Sequence, residues 1–77
     1  MSDAPELEPD YTRRRFRIAS EHVGFVRMIV EGYDGLAVVV TPDPQIGVIE
    51  WWIAPGREDE ATELARVLER SVGLTEV

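Results

Sequence analysis

The sequence predicts a small α+β domain with element order β-α-β-β-α, and three observations carry that expectation. Residues 36–54 hold two apolar runs, 36–41 and 48–54, joined by Pro42-Asp43-Pro44-Gln45-Ile46-Gly47, whose prolines and glycine are turn chemistry. Residues 12–19 alternate in the manner of a strand. Two further stretches, 21–34 and 57–71, repeat their apolar residues at helical spacing.

The first strand, residues 12–19, puts Phe16, Ile18 and Arg14 on one face and Arg13, Arg15 and Arg17 on the other. Ser20 is the expected N-cap of the first helix, which spans residues 21–34 and stops at Gly35. On a wheel of 3.6 residues per turn, Val23, Val26, Ile29, Val30 and Tyr33 form its core stripe. Phe25 and Met28 carry the apolar arc past what one sheet face needs, which points to a partner.

In the hairpin, Glu50 decides the second strand. Burying the set Val48, Glu50 and Trp52 would sink an unpaired carboxylate, at a cost of several kcal/mol (about 3–5), so Ile49, Trp51 and Ile53 face the core. On the first hairpin strand the bulkier set, Leu36, Val38 and Val40, is expected inward, leaving Ala37, Val39 and Thr41 outward. The second helix has Ala61, Leu64, Ala65, Leu68 and Val72 on one face, acids in its first turn, Arg66 and Arg70 near its end, and Gly73 as its stop. A crossover followed by a hairpin strand inserted between its two parallel strands is the split βαβ of ferredoxin-like folds. Residues 74–77 leave the usual fourth strand missing or vestigial.

Residues 1–11 are expected to be a disordered acidic tail and residues 12–77 a single domain. A chain of 77 residues gains only about 3–5 kcal/mol from its core, which favours oligomerisation, and without cysteine no disulfide can help. The net charge of −7 is uneven: residues 1–10 carry four acids and no base, residues 11–20 four arginines and no acid. That balance disfavours broad binding to nucleic acid or anionic membranes. No apolar run is long enough to span a bilayer and no signal segment opens the chain, so the expected location is cytoplasmic.

The chemistry expected is correspondingly thin. His22 is the sole histidine and stands without cysteine, so no metal-ligand spacing appears. The glycines never form a phosphate-cradling pattern. Asp43, between two prolines, reads as a turn-capping residue. The expectation is a protein that is not an enzyme, needs no cofactor and uses no metal. Its candidate interface is Arg13, Arg15, Arg17, Phe25, Met28, Val39, Val48, Glu50 and Trp52, serving a homodimer and open to a small-molecule or protein ligand. The alternative is a single-stranded RNA-binding sheet using Arg13, Arg15, Arg17 and Trp52.

The run Glu31-Gly32-Tyr33-Asp34-Gly35-Leu36-Ala37-Val38-Val39-Val40-Thr41, with Asp43-Pro44, Gly47 and Ile53-Ala54-Pro55, resembles a small bacterial family, domain of unknown function 4911, over roughly residues 13–72. The resemblance implies a complete small protein and no established activity. The chain is more loosely similar to ACT domains, ferredoxin-like regulatory modules that bind amino acids, in which a glycine opens the first helix near the place of Gly24.

Overall fold

The computed structural model describes residues 10–43 and 46–77. Most of the expected tail, and Pro44 and Gln45 of the expected turn, lie outside them. The elements are β1 (Thr12–Arg17), a 3-10 turn (Ser20–His22), α1 (Val23–Glu31), β2 (Ala37–Asp43), β3 (Val48–Ile53), α2 (Glu58–Val72) and β4 (Thr75–Glu76). They form a four-stranded sheet of order β2-β3-β1-β4. Every neighbouring pair is antiparallel, which is the split βαβ arrangement with its fourth strand in place.

The core lies between one sheet face and the two helices. Ile49, Trp51 and Ile53 of β3 are fully buried while Val48, Glu50 and Trp52 are half-buried, the alternation that Glu50 required. Phe16, Ile18, Val26, Val30, Ala61, Leu64, Leu68 and Leu74 complete the interior. The Phe16 and Trp51 rings meet at 4.6 Å between centroids, tilted by 44°, a geometry that aromatic pairs favour. Trp51 Nε1 is buried without a hydrogen-bond partner among the described residues. That costs about 1–3 kcal/mol, against which stands the burial of the whole indole.

Two local expectations are corrected. The first concerns β2. Ala37 stands opposite Ile53 and Val39 opposite Trp51, so these two face the core, while Val38 and Val40 stand opposite Trp52 and Glu50 on the open face. Leu36 misled the bulk argument. It is buried, but it sits in the turn before the strand, where the pleat's alternation does not hold it. Val39, expected at the interface, is 4 % exposed and belongs to the core.

The second correction is to α1, which is shorter than expected. Ser20 makes no side-chain cap, a 3-10 turn leads in, and the helix closes at Gly32 instead of Gly35. Tyr33 therefore falls beyond the helical face and is 43 % exposed instead of joining the core. The vestigial fourth strand is β4. Phe16 pairs with Glu76 and Arg17 with Thr75, and the Val77 amide donates to the Arg15 carbonyl at 3.0 Å. Leu74, 2 % exposed, anchors this strand.

One backbone contact joins the hairpin loop to β1. Gly47, at φ +68°, accepts a 2.8 Å hydrogen bond from the Ile18 amide, and a Cβ there would lie 2.0 Å from the Ile18 carbonyl oxygen. Only glycine fits this approach.

Candidate interaction surfaces

The sheet's helix-free face is built by register. Arg13, Arg15 and Arg17 of β1 stand opposite Trp52, Glu50 and Val48 of β3, with Val38 and Val40 of β2 beyond. Side chains at alternate positions share a face, so the three arginines form one row. The Arg13 guanidinium lies 4.3 Å from the Trp52 ring centroid, a cation–π contact. Trp52 Nε1 donates to Glu50 Oε1, and Glu50 Oε2 accepts from Arg15 at 3.2 Å. Trp52 is thus held from above by one arginine and tied through Glu50 to another. The indole is half-buried by its own neighbours.

The outer side of α1 is a second and separate surface. Its two charged side chains, Arg27 and Glu31, are four residues apart and both reach β2. Arg27 donates to Thr41 Oγ1 at 2.8 Å, and the Val39 amide donates to Glu31 Oε2 at 3.2 Å. With Val26 and Val30 fixing the buried side, a step of 100° per residue turns Gly24, Phe25, Met28 and Gly32 outward. On that outward side Phe25 is 42 % and Met28 63 % exposed, with Glu31 at the rim and turned toward β2. The same two charged groups guard the outer edge of β2, since Glu31 occupies an amide that would otherwise be free to pair with another strand. The residues expected to form one interface therefore divide. Arg13, Arg15, Arg17, Val48, Glu50 and Trp52 lie on the open face, Phe25 and Met28 lie behind the helical layer, and Val39 lies in neither.

A polar clasp closes the opposite sheet edge. Arg14 holds Glu76 with two hydrogen bonds, Nε to Oε2 at 3.0 Å and Nη2 to Oε1 at 2.7 Å, and donates from Nη1 to Thr62 Oγ1 at 2.8 Å. The hydrogen bonds from Arg14 hold the Glu76 carboxyl below its ordinary range, and the Arg14 guanidinium is raised in turn by Glu76. Sequence reasoning missed this clasp. The available signal was a charged residue on the core-facing side of β1, which needs a partner.

Two half-open clefts flank the sheet. One of about 230 Å³ runs beside Arg14, Thr62, Arg66 and Glu69, and one of about 260 Å³ is lined by Tyr11, Glu31, Gly35, Ala37 and Val38. Both fall below the ~300–1,000 Å³ usual for small-molecule sites. His22 is half-buried with Nε2 3.8 Å from Glu21. Among the described residues no group of three or more acidic or histidine side chains is placed to share a metal ion, and no helix is long and apolar enough to cross a membrane.

Fold and surfaces together define a small α+β module of ferredoxin-like type, whose distinctive parts are faces instead of a cavity. The chain belongs to the family described as Domain of unknown function (DUF4911), which matches residues 16–72. No curated protein and no solved structure matches it.

Proposed function

We propose that this protein is a non-catalytic cytoplasmic module that self-associates as a dimer through the outer side of α1. The carrying observation is the exposed apolar pair Phe25 and Met28, on a helix whose two charged side chains both reach back to β2. Exposed apolar strips of this kind mark association sites, and a chain of this size gains from covering one. The open sheet face is a poorer surface for two identical copies. Its described side chains bear three guanidinium groups against the one carboxylate of Glu50, and stacking it on itself would bring like charges together. The non-catalytic part of the reading rests on the sequence, with one histidine and no cysteine. A small metabolite, if bound, would sit at the dimer contact, because neither cleft within one chain is of the usual size.

The RNA-binding reading has less support. Arg13 already lies over the Trp52 ring, and base stacking on this face would rely on that single indole.

Sedimentation equilibrium at micromolar concentration tests the proposal. The expected result is a species of twice the 8.7 kDa chain mass, reduced to the single chain by Met28→Asp with the fold intact by circular dichroism. A single-chain species in the unsubstituted protein would overturn it.

A further inference from the structure

We propose that the open sheet face docks an extended acidic peptide segment, whose carboxylates at alternate positions meet Arg13, Arg15 and Arg17. These arginines occupy alternate positions of one strand, about 7 Å apart at ~3.4 Å per residue. Alternate residues of any extended peptide repeat at the same distance. Arg15 shares Glu50 with Trp52, and among the described side chains, which do not include that of Asp43, no carboxylate pairs with Arg13 or Arg17. The row is the chain's one concentration of positive charge, standing in a protein of net charge −7. An acidic segment therefore meets attraction on this face and repulsion elsewhere, which gives the contact its specificity.

The rest of the face fits a peptide better than a polynucleotide. Val38, Val40 and Val48 offer aliphatic contact beside the row, suited to apolar residues that interrupt the acids. A polynucleotide would look for several bare aromatic rings, and Trp52 lies under Arg13. The sequence itself contains a stretch of the required chemistry, Glu6-Leu7-Glu8-Pro9-Asp10, in which acids alternate with apolar residues.

The test uses a fluorescently labelled peptide with the sequence of residues 3–10. It is titrated by anisotropy, at low salt, onto the full chain carrying Asp3→Asn, Glu6→Gln, Glu8→Gln and Asp10→Asn, so that the acids of its own first ten residues do not compete. Binding is expected, weakened about tenfold when Arg13→Gln and Arg17→Gln are combined, since each exposed pair contributes modestly. It is expected to weaken further in high salt, and to be lost for a peptide whose acids are replaced by their amides. Circular dichroism confirms that the arginine variants keep the fold. Three results would overturn the proposal: no binding at low salt, binding indifferent to both arginines, or tighter arginine-dependent binding of an oligouridylate of equal charge.

Discussion

Replacing Gly47 by alanine would test whether the contact between the hairpin loop and β1 holds the sheet together. An alanine Cβ would stand 2.0 Å from the Ile18 carbonyl oxygen, 3.2 Å from its carbon and 3.4 Å from the Ser20 amide nitrogen. All three are backbone atoms, so no side chain can swing away. The left-handed φ of +68° alone costs an alanine about 1–2 kcal/mol. Relieving the clash forces the strands apart and breaks the 2.8 Å hydrogen bond from the Ile18 amide, a further ~0.5–1.5 kcal/mol. It also disturbs Ile18, which is 3 % exposed. The total, roughly 1.5–3.5 kcal/mol, approaches the ~3–5 kcal/mol that so small a core supplies. At about 4–8 °C per kcal/mol, melting should fall by roughly 6–28 °C, or the protein should fail to fold. Gly56→Ala is the matched control, for Gly56 has φ +83° and nothing within 4 Å of its Cβ position. Thermal unfolding followed by circular dichroism compares the two. Equal destabilisation by both substitutions would refute the argument, because the backbone angle would then explain everything and the close approach nothing.

Further outcomes are expected. Val39→Asp should unfold the protein, since it buries an unpaired carboxylate beside Trp51 at a cost of several kcal/mol (about 3–5); Val38→Asp should melt within a few degrees of the unsubstituted protein. Chemical denaturation distinguishes the two, and the opposite ranking would restore the inverted register. Glu76→Gln should cost about 0.2–1 kcal/mol, as suits a partly exposed pair. The Glu76 carboxyl is held below its ordinary range in the folded chain, so its contribution is fully present above the unfolded value. It is lost as pH falls through the depressed folded one. Denaturation midpoints of the two proteins should therefore converge in strong acid, and a difference that persists there would contradict the clasp. Glu31→Ala should uncover the Val39 amide on the edge of β2 and increase concentration-dependent light scattering. Unchanged scattering would show that the edge needs no guard.

The parts of the fold that could be read from the sequence were those where one residue breaks a symmetry. Glu50 settles β3, because a single carboxylate makes one face intolerable to bury. Arginines alternating with Phe16 and Ile18 settle β1 in the same way. On β2 three consecutive valines offer no such contrast, and bulk alone favoured the wrong face. Only the cross-strand partners of Val38 and Val39 decide the question. Helix α1 was legible as a helix but not in its length, because two glycines, Gly32 and Gly35, lie near its end and it closes at the first. The strand β4 was hidden by its brevity: Thr75 and Glu76 pair with β1 because Leu74 is buried and Arg14 holds the Glu76 carboxylate. The candidate surfaces were half legible. The arginine row with Glu50 and Trp52 follows from alternation alone. The separation of Phe25 and Met28 from that row needs the three-dimensional fact that helices and open face lie on opposite sides of the sheet.

The association account is tested most directly by distances between spin labels in the assembled protein. The chain contains no cysteine, so a single introduced one gives a clean label. Glu21→Cys lies at the start of the apolar strip and Arg15→Cys on the open face, and both native side chains are exposed. Pulsed electron-spin measurements should give a shorter separation between copies for the label at position 21 than for the label at position 15. The reverse order would mean that the copies meet through the arginine face, and the assignment of the dimer contact to α1 would be wrong.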